Sequence, residues 1–385
     1  MCAITLNSDR VNTSLQQERP SEYSAAVFVW AGVAYALVLV VFWFIAKGYA
    51  MEYRVGGHMP STFATFAMLL APYWFFAFGL ADVLTRALRG TFVRVAVPGL
   101  LVIPYLVSSW PRGEFRIFYA LIFLAVPVFL SALFEFVRPA DHGLSWQDVV
   151  ALLLVGIPVE FGKLRGAFPH PGLAVLPKFL LMDALVYAYL VIRRLPGVGY
   201  DLRLRWRDFC IGLREWAFFA PIAIVLGLAI GFIRFRGYWP DTVQALSAWL
   251  ITFFFVALPE EFFFRGLLQN MLERRLRSRG YLVGDAAPST SRIVVNEQEA
   301  SHGSAPEAQL SPAAASRAKY LALLLASIIF GLSHFNKPLP FNWRYVILAS
   351  IAGVFYGRAW LDRRRLGTSA ITHATVDVVW GLWFR

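Results

Sequence analysis

A chain whose apolar residues come in runs of about 20 has its solvent chosen before its fold, because about that length of helix crosses the hydrocarbon core of a bilayer. Against the range of about 17–25 residues for a spanning helix, this sequence offers roughly eleven such runs. They lie at about 25–46, 62–81, 92–110, 115–137, 144–161, 172–192, 216–233, 243–279, 320–335, 345–360 and 368–384. Composition agrees: 58% of the 385 residues are hydrophobic and only 16% charged, against about 25% charged in soluble domains, and the mean hydropathy is +0.58. In lipid every backbone polar group must be satisfied within its own segment or in a closed barrel. Runs this long therefore predict an all-α fold, a polytopic transmembrane helical bundle of about 10–11 membrane segments.

The formal net charge is +12, which in a soluble protein would suggest nucleic acid. Here the Lys and Arg residues gather at the ends of apolar runs, as in Arg274-Arg275-Leu276-Arg277 and Arg363-Arg364-Arg365. That is the orientation signal of a membrane protein. Nucleic acid is excluded as a partner and membrane lipids are expected. Alternating the runs from a cytoplasmic N-terminus puts both clusters inside, so the expectation is a multi-pass protein of a bacterial plasma membrane with its N-terminus in the cytoplasm. Cys2 and Cys210 are the only cysteines, too few for a disulfide framework or a Cys-based zinc site. Three regions follow. Residues 1–24 read as a cytoplasmic tail and 25–195 as an N-terminal membrane region. A Pro-Gly linker then leads into a second membrane region, 200–385, which carries a polar, disordered loop at about 280–315.

Within the apolar run from Val243, the stretch Pro259-Glu260-Glu261-Phe262-Phe263-Phe264-Arg265-Gly266 carries three charges. Ionisable groups at membrane depth are costly and need partners. Residues four apart share a helix face, so Glu261 and Arg265 can pair. Adjacent residues diverge by about 100°, so Glu260 points elsewhere and is expected to be free for chemistry. Two later runs carry Phe330-Gly331-Leu332-Ser333-His334 and His373-Ala374-Thr375-Val376-Asp377. A carboxylate and two histidines are the parts of a peptide hydrolase: a general base for water, a proton donor for the leaving amine, and donors for an oxyanion.

These motifs, in this order, resemble the CPBP family of intramembrane proteases, which includes the CAAX prenyl endopeptidases and the bacteriocin-processing or immunity proteins. The resemblance covers roughly Tyr200 to Arg385. It implies a glutamate-type endopeptidase acting on a membrane-associated peptide or lipidated protein substrate. Glu260 with His334 would activate the attacking water, and His373 with Asp377 would stabilise the oxyanion. Glu261, Arg265 and Phe330 would support them. Many members carry Asn where this chain has Asp377. An ionised Asp would repel an oxyanion, and His with carboxylate are ordinary zinc ligands. The expectation is no cofactor, with a zinc site of Glu260, His334, His373 and Asp377 as the alternative.

Two other functions stay open on the sequence: a non-catalytic membrane scaffold or bacteriocin-immunity protein, and a proton-coupled transporter. Counting residues along each run puts His334 and His373 near opposite membrane faces with Glu260 between them. A common site is therefore expected to need tilted, broken or re-entrant segments, with Pro338, Pro340 and Gly367 as the candidate breaks.

Overall fold

The computed structural model describes residues 25–52, 59–169, 173–278, 311–337 and 341–384. Among them there is no β-strand. The helices are α1 (Ala25–Glu52), α2 (Met59–Phe76), α3 (Leu80–Ala87), α4 (Thr91–Ser109), α5 (Ile117–Phe136), α6 (Trp146–Glu160) and α7 (Leu176–Tyr187). They continue as α8 (Trp206–Ala229), α9 (Thr242–Ser278), α10 (Pro312–Leu332), α11 (Trp343–Arg363) and α12 (Leu366–Trp383). The protein is an all-α polytopic helical bundle.

All eleven apolar runs contain helix, yet among the described residues six helices combine spanning length with sufficient hydropathy: α1, α4, α5, α8, α9 and α10. A seventh span arises if α2 and α3, bent by 88° across a short break, count as one. The other runs are shorter or more polar. α6 has 15 residues, and α7 is buried at every position except Lys178, so it is apolar because protein surrounds it, whatever the lipid does. α9 is the reverse case. Its 37 residues extend about 56 Å at 1.5 Å per residue, far beyond a hydrocarbon core of about 30 Å.

The expected tail, 1–24, and most of the expected loop lie outside the described residues, as do Pro338 and Pro340. The loop's expected end at 315 runs too far. Ser311 caps α10 by accepting from the Ala314 N–H, and Pro312 occupies the first helical turn. Ser at the cap followed by Pro inside the start is a helix-initiation signal, and it outweighs the polar composition of that stretch.

Small residues bring the helices of the second region close together, as expected where packing rather than hydrophobicity drives association. A Cβ on Gly212 of α8 would meet the Ile371 side chain of α12 at 2.7 Å, and the Thr372 hydroxyl donates to the Gly212 carbonyl at 3.0 Å. Gly353 and Gly357 of α11 lie against Ser327 and Leu323 of α10. The two regions share one apolar core. Phe42 of α1 and Phe179 of α7 pack on Phe255 of α9 at centroid distances of 5.2 and 5.1 Å.

The linker between the regions is tied to the start of α12. Arg365 donates to the Asp201 carboxylate at 2.7 Å and to the Arg203 carbonyl at 2.6 Å. Arg203 bonds the same carboxylate through both Nε and Nη2. Burial alone would raise the Asp201 carboxyl, but its bonds from the Arg203 side chain and backbone and the charges of Arg365 and Arg203 hold it below the usual carboxylate range. A depressed carboxyl stabilises the fold above its unfolded value, about 3.9 for Asp, and loses that contribution as pH falls toward the folded value. Acidification from about pH 6 to about pH 3 should therefore lower the melting temperature of the wild type more than that of Asp201→Asn. Equal slopes for the two proteins in detergent would rule this contribution out.

Candidate active site

The charged stretch of α9 lies between two wide turns. π-helical segments at Phe253–Ala257 and Phe262–Gln269 flank the α-helical Leu258–Glu261. Pro259 has no N–H to donate, and its ring crowds the carbonyl four residues back. A widened turn before it accommodates both, and such bulges recur at functional sites.

From that frame Glu261 points into protein and is 0% exposed. One carboxylate oxygen accepts from His373 Nδ1 at 2.8 Å. The other lies 3.2 Å from Arg265 Nε and accepts from the Ser369 hydroxyl, which also bonds the Tyr356 carbonyl at 2.9 Å. Ser369 is one helical turn before His373 on α12, so both reach the same carboxylate. Arg265, also fully buried, lies over Phe330 at 5.2 Å and Tyr356 at 5.9 Å. Its charge is met by one carboxylate and two aromatic faces.

His373 has a carboxylate on each side. Besides Glu261 at Nδ1, its Nε2 lies 3.4 Å from Asp377 Oδ2 and 3.9 Å from Glu260 Oε2. Its ring stacks on Tyr356, with centroids 4.4 Å apart and planes 15° from parallel. His334 follows the last turn of α10. Its ring lies against Phe330 at 4.8 Å and Tyr345 at 4.6 Å, and Nδ1 is 2.8 Å from the Phe330 carbonyl. A carbonyl can only accept, so that contact assigns the proton to Nδ1 and leaves Nε2 with the lone pair. Phe330 is the common wall, since His373 also meets it edge-on at 5.6 Å.

The sequence-derived residues thus form one cluster. Glu260, Glu261 and Arg265 come from α9, Phe330 and His334 from the end of α10, and His373 and Asp377 from α12. Gly367 supplies no break, and Pro338 and Pro340 lie outside the described residues. α12 runs unbroken from Leu366 past Gly367 to Trp383. The helices are shifted along their axes instead: Phe330 packs on Phe264 and Tyr356, while the first turn of α12 lies beside Gly266. α10 therefore begins alongside the overhanging end of α9, and counting from the ends of apolar runs misplaces His334.

Glu260 is not free. Its Oε1 lies 2.9 Å from Lys178 Nζ on α7, with the two side chains 18% and 17% exposed. Adjacency along α9 cannot reveal a partner 82 residues away, although a lone Lys in an apolar run was itself a signal. Ser369 was legible from its place one turn before His373. Tyr345 and Tyr356 had no sequence signal. Glu160, in a stretch that echoes the α9 motif, pairs with Lys337 at 2.8 Å rather than with its neighbour Arg165.

An apolar cleft opens beside this cluster, lined by Phe219, Ile224, Leu348 and Trp380 and bounded by His334, His373 and Asp377. Among the described residues no group of three His, Cys, Asp or Glu side chains is placed to hold a cation.

The family model described as "Type II CAAX prenyl endopeptidase Rce1-like" matches residues 242–294 and 308–379. That span contains α9, α10, α11 and most of α12, with every sequence-derived site residue. No curated protein and no solved structure matches the chain. The matched region holds three ordered motifs of charge and imidazole on helices that converge in one cluster, and this likeness supports a protease of the CPBP family.

Proposed function

We propose that the protein is an intramembrane endopeptidase that hydrolyses a peptide bond of a membrane-associated or lipidated substrate, with a water activated by Glu260 as the nucleophile. The observation that carries this reading is the approach of Glu260 and His373, 3.9 Å apart, with His334 and Asp377, beside an apolar cleft. The cleft suits the apolar part of a lipidated peptide, and its polar end suits the scissile amide.

In this mechanism Glu260 accepts a proton from water through Oε2, the oxygen that Lys178 does not hold. The hydroxide attacks the carbonyl carbon, and the π electrons move to oxygen. His373, oriented by Glu261, donates from Nε2 to that oxyanion. Asp377, 3.4 Å from the same Nε2, lines the oxyanion position and donates to it when protonated, as an Asn there would donate directly. Collapse of the tetrahedral intermediate breaks the C–N bond. The proton taken by Glu260 passes to the leaving amine, with His334 Nε2 as the relay. No step calls for a metal.

Proton transfer by a placed side chain contributes typically about 10²–10⁴-fold, and one oxyanion donor about 10²–10³-fold. With purified protein and a quenched fluorescent peptide bearing a farnesylated CAAX terminus, Glu260→Ala is expected to lose about 10²–10⁴-fold in kcat. His373→Ala is expected to lose about 10²–10³-fold. Wild-type-like turnover by Glu260→Ala would sink the mechanism.

Asp377→Asn separates the two catalytic types. It should preserve or raise turnover, and a chelator should leave the wild type unchanged. Loss of activity with chelator, restored by added zinc, would reverse the assignment.

The proposed setting is a bacterial plasma membrane with the N-terminus in the cytoplasm, supported by the basic ends of α9 and α11, where Arg275, Arg277 and Arg363 lie in the last turns. An N-terminal fusion active only in the cytoplasm is the expected outcome. A periplasmic signal from the same fusion would invert the topology.

A further inference from the structure

α7 lies outside the residues that the family model matches, yet it supplies the closest charged partner of Glu260. From Leu176 through Ile192 the only cation is Lys178. The nearest carboxylate on the same helix is Asp183, five residues on and therefore rotated by about 140°, so Lys178 has no anion on its own face. It reaches across to α9, where Nζ meets Glu260 Oε1 at 2.9 Å. The start of α7 is fixed by neighbours on both sides. Phe179, the next residue, packs edge-on against Tyr73 at 5.4 Å and against Phe255 at 5.1 Å. The ammonium is thus delivered by a buried, packed helix and not by a mobile surface side chain.

We infer that Lys178 is a positioning residue for hydrolysis, and that the N-terminal membrane region completes the active site. The inference rests on the Glu260 reading given above. Lys178 holds one oxygen of Glu260 and so aims the other, the one 3.9 Å from His373 Nε2, at the reacting water. A Lys ammonium is a compact point charge with three rotatable donors. It can anchor a single oxygen without claiming the second, as a bidentate guanidinium would tend to do. Lys178 itself touches neither substrate nor reacting atoms.

The test uses the full-length protein in detergent or nanodiscs and the farnesylated CAAX peptide as probe. Displacing a reacting group by about 1 Å can cost about 10²-fold. Lys178→Met should therefore lower kcat by about 10- to 100-fold and leave KM unchanged, and Lys178→Arg should restore part of that loss. A merely structural lysine would not split kcat from KM in this way.

A raised KM with unchanged kcat would make Lys178 a substrate contact and overturn the inference. If Glu260→Ala is inactive while Lys178→Met behaves as wild type, only this inference fails. If Glu260→Ala is active, the reading beneath it fails as well. Thermal unfolding gives a measure that needs no turnover. Removing both charges in Lys178→Met/Glu260→Gln should restore stability relative to Lys178→Met alone, because an uncompensated buried carboxylate is then absent. Additive losses in that cycle would refute the pairing.

Discussion

The arrangement depends on the buried Glu261 carboxylate. It meets Arg265 on its own helix and both Ser369 and His373 on α12, so it joins the two helices through charge as well as packing. Removing one partner of a buried pair typically costs about 3–5 kcal/mol, and few rotations of α9 would keep all three contacts. Fixing Glu261 inward also fixes Glu260, which lies about 100° away round the helix and faces Lys178 of α7. Two neighbouring glutamates therefore acquire different surroundings from one constraint. The first is enclosed by cations and hydroxyl, and the second, paired with one lysine, keeps some exposure.

Aromatic rings carry much of the remaining order. Phe330 separates Arg265, His334 and His373 while touching all three, and Tyr356 stacks on His373 and faces Arg265. These rings exclude lipid and water from the charges without competing for their hydrogen bonds. The low local dielectric that results strengthens every pairing inside it. The close helix contacts at Gly212, Gly353 and Gly357 serve the same end, since they bring α8, α10, α11 and α12 near enough to enclose the cluster.

The helical character of the chain was legible because bilayer thickness imposes its length on apolar runs. The three motifs were legible because charge and imidazole are conspicuous in such runs. Pairing within a helix was also readable, as Glu261 and Arg265 show, since four-residue spacing fixes a common face. What could not be read was the displacement of one helix along another. Apolar length marks where a segment could sit in lipid, but α7 and α12 are enclosed largely by protein, and α9 overhangs. His334 and His373 were placed on opposite faces for that reason. The pairing of Glu260 with Lys178 was hidden for a related one: it joins regions that the sequence divides at a Pro-Gly linker but that share one core.

The enclosed α7 has a consequence for how the protein is made. Its 12 residues continue as 5 π-helical ones through Ile192, the lower end of the range of about 17–25 for a spanning helix, and Lys178 and Asp183 would each add a penalty of about 2.5–3.5 kcal/mol at membrane centre. α7 leaves the ribosome before α9, the helix that carries the counter-ion for its lysine. Until α9 follows, the ammonium of Lys178 lacks that counter-ion. The pairing that neutralises an earlier helix is thus completed only by a later one, and a chain ending before α9 would leave that lysine without it.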